Sequence, residues 1–383
     1  MQIDVVYLAI NIFLLATFVC AGKNFSVGSR KIPGVIACVV VFSVVLGLRY
    51  GRGVDYFHYI QVYKYDLEST QKLFTAFNNF LKFCLFSPYS IFFFYALLFI
   101  YAGMRLVKKF RDLAKYLFPL FLLAFVVFVE YAIRQAFSFS FVFLYIVQLH
   151  RFLFERKVKG LFWALLFATA ACSIHSANAI EILFITIIFV ISSREVSWKP
   201  LVSFYLLSKY FVAQIFDFSW LSRLIVFVFS ADEKFAGYVN YSNRWFSTDA
   251  VNDIYTRNYF VSVLETFANC FLIYLFVSMM SRMKLTCENT TKEKEKFLMA
   301  LFYCFVFGTT MLQMFHDIEL FRRIFEPLYS FWCFPLSFVL TYRSLYLKKF
   351  ERKMIIPVIL FWGYEFFKYL FVRGGKTLFL WDM

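Results

Sequence analysis

Apolar segments of roughly bilayer length, ~20 residues, follow one another through this chain from end to end. No other feature limits the fold as strongly. Inside hydrocarbon a segment must satisfy its own backbone amides and carbonyls, so each such run is confined to a helix. Spans are expected at 3–21, 32–48, 88–106, 113–130, 131–149, 160–174, 176–192, 200–216, 258–280, 297–315, 324–342 and 354–372. The expected fold is therefore an all-α polytopic membrane protein with about twelve transmembrane helices, one integral membrane unit over 1–383. The first run lacks a basic leader and passes into further spans, so it is expected to be a retained helix. A composition of 62% hydrophobic and 17% charged residues excludes a soluble globular domain. The 57 Phe and 25 Tyr suit lipid contact and interfacial belts, and Tyr can also line a sugar site.

A net charge of +16 would suggest nucleic acid in a soluble chain. Here the cations sit in short loops, so they act as an orientation signal beside anionic lipid, and no nucleic-acid partner is expected. Lys23 to Lys31, Arg105 to Lys115, Arg151 to Lys159, Arg194 with Lys199, Arg282 to Lys296 and Arg343 to Lys353 follow alternate spans. All fall on one side, which the positive-inside rule makes cytoplasmic, and both termini then face outward. The eight cysteines form no Cys-x-x-Cys pair, so neither a zinc site nor a disulfide framework is indicated. Motifs for zinc hydrolysis, serine hydrolysis or dinucleotide binding are missing, and no cofactor or metal is expected.

The outer side holds two larger segments, 49–87 and 217–257. In the first, Leu73, Phe74, Phe77, Phe80, Leu81 and Leu85 share one helical face. That spacing describes an amphipathic helix, lying either in the interface or against the bundle. The second carries Tyr238, Arg244 and Trp245, suited to stacking on sugar or to an interfacial belt.

Polar residues at the outer ends of spans are more informative than inner-loop cations, because topology gives no reason for positive charge there. Leu48 to Tyr63 places Arg49, Arg52 and Asp55 around Gly51 and Gly53, then Tyr56 and Tyr59. Glycine lets the backbone turn or come close to a neighbour. Arg134 and Gln135 open an apolar helix, and Arg134 could pair with Glu130 one turn earlier or offer its planar fork to a pyrophosphate. His175 ends an apolar run, with Ser176, Asn178 and Glu181 nearby, as a phosphate donor or acid/base. His316, Asp317, Arg322 and Arg323 crowd one outer boundary, either as a solvated loop or facing the cavity of the other arginines.

These residues resemble a known family. Arg49-Tyr-Gly51-Arg-Gly53-Val-Asp55-Tyr56-Phe-His-Tyr59 closely resembles the Arg-x-Gly-x-Gly-Thr-Asp-Tyr-x-x-Tyr signature of the EpsG family, Wzy-like polymerases of bacterial exopolysaccharide and O-antigen. Val54 departs from the usual Thr. Ile133-Arg134-Gln135, Ile174-His175-Ser176 and Phe321-Arg322-Arg323 through Tyr329 are similar to its later landmarks, in the same order.

The resemblance implies a metal-independent glycosyltransferase of GT-C-like fold in the bacterial cytoplasmic (inner) membrane, with its active site facing outward. The implied partners are undecaprenyl-pyrophosphate-linked oligosaccharides as donor and acceptor, the lipid bilayer, and a chain-length regulator and a flippase. Asp55 and His175 are both candidates for general base. Arg134 and Arg322 are expected at the leaving pyrophosphate, with Arg49, Arg52, Tyr56, Tyr59, Gln135, Tyr238, Arg244, His316 and Arg323 contacting substrate. The alternatives are a lipid-linked oligosaccharide flippase, an O-antigen ligase and a membrane acyltransferase.

Overall fold

The computed structural model describes residues 5–28, 31–53, 55–66, 71–192, 194, 196–212, 215, 259–286, 292–315, 318–371 and 378–379. The expected outer segment 217–257, with Tyr238, Arg244 and Trp245, lies outside them, as do Val54, His316 and Asp317.

The described chain is almost entirely helical. Its helices are α1 (Val5–Val27), α2 (Lys31–Gly47), α3 (Tyr56–Tyr65), α4 (Lys72–Phe83), α5 (Ser90–Val107), α6 (Ala114–Tyr131), α7 (Ile133–Leu153), α8 (Val158–Ile174), α9 (Asn178–Ile191) and α10 (Trp198–Leu207). A π-helical turn, Ser208–Val212, extends α10. Then come α11 (Tyr259–Thr286), α12 (Lys292–Met314), α13 (Glu319–Tyr329), α14 (Cys333–Tyr346), α15 (Lys349–Lys353) and α16 (Ile355–Phe371). A 3₁₀ turn at Ser330–Trp332 joins α13 to α14. Two short strands, β1 (Arg49–Tyr50) and β2 (Leu378–Phe379), pair antiparallel with Arg49 opposite Phe379.

Helices occupy the positions of all the expected spans. Among the described residues seven helices are long and apolar enough to cross a membrane, and α8, α9 and the Ile32–Gly47 part of α2 are shorter apolar helices. The expected count of twelve crossings is not established by these helices. A GT-C-like fold is not established by this helix arrangement.

Aromatic rings fill the core. Phe99, Phe125, Phe139 and Phe143 interlock across α5, α6 and α7, with Phe99–Phe143 centroids at 5.3 Å and Phe139–Phe143 at 5.0 Å. Phe331, between α13 and α14, joins them at 6.1 Å from Phe125. Lipid tails are as apolar as side chains, so close packing and ring geometry, rather than escape from water, hold such a bundle together. Gly308 on α12 shows how close: a Cβ there would lie 2.4 Å from the Tyr329 amide of α13.

The basic loops meet at one end of the bundle, as the charge pattern required. Lys294 pairs with Asp112, and Lys109 reaches Glu155 at 3.3 Å. Arg282 grips Glu351 with two nitrogens at 2.6 and 2.7 Å. Its hydrogen bonds hold the Glu351 carboxyl down at about 2.

The opposite end carries β1, α3 and α4. A separate apolar cluster sits beneath them, joining Tyr56, Tyr59 and Tyr63 to Phe74, Phe92, Tyr95, Phe137 and Ile174. The open choice for α4 is thereby settled in favour of packing on the bundle: Phe74 and Leu81 are buried, and Asn78 accepts from the Tyr95 hydroxyl at 2.5 Å. Phe80 and Leu85 stay exposed on the other edge.

Gly53 sets how near β1 and its loop come to α6. Its φ is +101°, and a Cβ would lie 2.4 Å from the Glu130 carbonyl oxygen. Gly53→Ala should therefore destabilise the protein by about 1–3 kcal/mol. Gly363→Ala on α16, where a Cβ meets nothing within 4 Å, should be neutral or stabilising by up to ~1 kcal/mol. Thermal unfolding of the purified protein in detergent checks the contrast.

Candidate functional site

The loop after α2 must bring two arginines to a membrane boundary, and a buried guanidinium demands a counter-charge. Arg52 finds it on α6: Nε lies 2.5 Å from Glu130 Oε1, and Nη2 lies 3.3 Å from Oε2. Both side chains are buried, and the Tyr7 ring of α1 lies 3.5 Å from the guanidinium carbon. Arg49 is also buried; it donates to the Val129 carbonyl at 3.4 Å and lies over Phe92. Tyr56 stacks on Phe92 at 4.1 Å, is fully buried, and donates its hydroxyl to the Arg49 carbonyl at 2.9 Å. Three expected substrate contacts of the first motif, Arg49, Arg52 and Tyr56, are thus placed in the wall that holds the loop. Asp55, at the start of α3, is half-buried and makes no capping hydrogen bond.

Of the two alternatives open to Arg134, the pairing with Glu130 goes to Arg52 instead. Ala132 alone separates α6 from α7, which puts Arg134 in the first turn of α7, where a helix presents unbonded amides and positive potential. The Arg134 Nε is buried and has no hydrogen-bond partner among the described residues.

Tyr59 points at this turn and receives a hydrogen bond from the Arg134 backbone. Burial pushes its phenol up to about 12, against the pull of Arg134 and Arg323, with Asp55 adding to the rise. His175 interrupts the helical path between α8 and α9, with extended φ and ψ of −150° and 106°. Burial and then the charges of Arg134 and Arg323 push its imidazole down to about 4. Two cations, a phenol and a neutral imidazole therefore share one electrostatic neighbourhood, with Asp55 acting on the phenol from α3.

Arg323 reaches this neighbourhood from α13, a strongly one-sided helix. The sequence favoured its neighbour Arg322 for the catalytic role. Arg322 is half-buried at the adjacent position, and the charge acting on His175 and Tyr59 is that of Arg323.

Gln135, expected to contact substrate, makes internal hydrogen bonds. Its amide nitrogen donates to the Arg323 carbonyl at 2.6 Å and to Glu181 Oε1 at 3.2 Å. One turn along α7, Ser138 donates to the Ala171 carbonyl at 2.8 Å and accepts from Asn178 at 2.6 Å. The same carbonyl accepts the His175 amide at 2.9 Å. The sequence flagged Asn178 and Glu181 as neighbours of His175, but their partners on α7 lie 40 and 46 residues away in sequence and carry no local signal. Ser138 went unassigned for the same reason, and Glu130 was offered to Arg134 rather than to Arg52. His58 is exposed. His150 lies at the other end, stacked 4.1 Å from Phe297. Among the described residues no cluster of His, Cys, Asp or Glu is suited to a metal.

A family model described as the EpsG family matches residues 33–380. No curated protein and no solved structure matches the chain.

The different settings of the two pivotal arginines give different mutational outcomes. Glu130→Gln leaves Arg52 buried without its counter-charge and should cost about 3–5 kcal/mol of stability. Arg134→Ala removes a guanidinium from no ion pair described here and should shift stability by under ~1 kcal/mol. Thermal unfolding of the two variants in detergent makes the comparison, and an equal loss from both would place Arg134 in the framework.

Proposed function

Given that the chain belongs to the EpsG family, whose model covers nearly its whole length, we propose that it is a polysaccharide polymerase joining undecaprenyl-pyrophosphate-linked repeat units at the outer face of the cytoplasmic membrane. The observation that carries the mechanism is the convergence of the Arg134 and Arg323 charges on His175 and Tyr59, with the Arg134 Nε buried and lacking a hydrogen-bond partner.

The donor is the growing glycan on its lipid diphosphate; the acceptor is a new lipid-linked unit. An acceptor hydroxyl oxygen attacks the donor's anomeric carbon, and the bond from that carbon to the diphosphate oxygen breaks. The hydroxyl proton passes to a base, and the lipid diphosphate departs as an anion. Guanidinium groups fixed before the reaction stabilise the charge that gathers on the departing oxygen, with no reorganisation at the moment of reaction. The α7 N-terminus adds positive potential beside them. Tyr59, held as a neutral phenol, donates rather than ionises.

His175 is the better placed base. Burial and the charges of the two guanidiniums make its imidazole bind a proton poorly. A diphosphate docked on Arg134 and Arg323 offsets their charge, and the imidazole becomes more basic once the donor is in place. Proton abstraction is thereby tied to donor occupancy. Asp55 acts on Tyr59 from α3 and orients it. Arg49 and Arg52 shape the site from behind.

Arg134→Ala and Arg323→Ala should each lower the polymerisation rate by roughly 10²–10³ while the protein remains folded in the membrane. Lys at either position should restore little, because an ammonium lacks the planar fork. Purified protein with a defined lipid-linked repeat unit, scored by polymer length, provides the assay; normal polymer from either Ala variant removes that arginine from the site. In Arg134→Gln the His175 imidazole should titrate nearer the usual value, ~6.5. A histidine-resolved NMR titration reads this, and an unmoved His175 separates it from Arg134.

A further inference from the structure

Glu181 is unusual among the ionisable residues of the site. It is fully buried in the first turn of α9. One carboxyl oxygen accepts from Gln135, and the other has no hydrogen-bond partner among the described residues. No cation lies within ion-pair distance of it in any described pair, whereas Glu130 has Arg52. A carboxyl buried at this cost has a purpose other than offsetting charge.

That purpose is visible one bond further. The amide nitrogen that Glu181 holds is the one that donates to the Arg323 carbonyl. An amide offers two hydrogens, so Glu181 and the Arg323 carbonyl together fix both, along with the plane of the amide. Asn178 and Glu181, three apart on α9, hold Ser138 and Gln135, three apart on α7. The Asn178 rung reaches the carbonyl that also anchors the His175 amide. The Glu181 rung reaches the backbone of Arg323.

We propose that Glu181 is a positioning residue, which through Gln135 sets the backbone of α13 so that Arg323 stands beside His175 and Tyr59. It touches neither substrate nor reacting atoms, and its carboxyl serves as a hydrogen-bond acceptor rather than as a charge. The inference rests on the polymerase reading for its catalytic consequence, but the structural link it describes does not.

The test compares wild type, Glu181→Gln, Glu181→Leu, Arg323→Ala and the Glu181→Leu/Arg323→Ala double variant, purified and assayed with a lipid-linked repeat unit. Amide hydrogen exchange over residues 318–326 is measured on the same samples. Glu181→Gln keeps the acceptor and should stay within about threefold of wild type. Glu181→Leu should fall roughly 10–100-fold, the scale of a misplaced catalytic group. The double variant should be no slower than Arg323→Ala alone, because the lost effect acts through that arginine. Exchange in the first turns of α13 should rise in Glu181→Leu and stay at the wild-type level in Glu181→Gln. Equal losses from Gln and Leu would make Glu181 a charge-bearing group and overturn the proposal. Additive losses, or α13 exchange unchanged in Glu181→Leu, would overturn it as well. If Glu181→Leu fails to fold, Gln135→Leu breaks the same link from the other side and takes its place in both measurements. A wild-type protein that makes no polymer defeats the polymerase reading, and the exchange data then decide the link alone.

Discussion

The site depends on how one carboxylate is shared among arginines. Glu130 ends up against Arg52, 78 residues earlier in the chain, and the pair is sealed from water under the Tyr7 ring. A buried pair of this kind is a weak source of net stability but a strict one of geometry, since each charge is costly without the other. It fastens the glycine-bearing loop to the last turn of α6. It also leaves the first turn of α7, four residues on from Glu130, with a guanidinium that no described acid neutralises. Had Glu130 turned to Arg134, the buried charge would sit in the loop and the potential at α7 would be gone.

The start of α7 divides its work between neighbouring residues. Gln135 and Ser138 lie on the face turned to α9 and α13 and are committed to internal hydrogen bonds. Arg134 lies about 100° away around the helix from Gln135 and is turned toward Tyr59 and His175. A group held by neighbours whose own bonds are satisfied keeps its place when a charged ligand arrives, which is what electrostatic catalysis requires.

The helices were legible because the solvent dictates them: in hydrocarbon the local pattern alone decides that a segment is helical, and each expected span coincides with a helix. The same simplicity hid the depth of α8 and α9, whose lengths of 17 and 14 residues fall below bilayer thickness. Within the candidate site, the sequence singled out Arg134, His175, Tyr59 and the Arg322–Arg323 pair, since ionisable groups at span ends are rare. It could not distribute their roles. Arg52 and Arg134 look alike in sequence, and what separates them is the direction in which Glu130 points. Arg322 and Arg323 differ by one step around α13, and of the two it is the Arg323 charge that acts on His175 and Tyr59. The amphipathic stretch of α4 left its partner open, because a stripe of Phe serves lipid and protein equally; Tyr95 and Phe137, far along the chain, decide it.

The short pairing of β1 with β2 carries a topological condition. Arg49 and Phe379 stand opposite each other in the β1–β2 pair, so both stand on one side of the membrane. The chain between them must then cross an even number of times, whatever path the intervening residues take. Parity of this sort is a global property enforced by two residues at each end. It means that an extra crossing, or a missing one, cannot be absorbed locally: it would strand the carboxyl-terminal strand across the bilayer from its mate and uncover the edge beside the glycine loop.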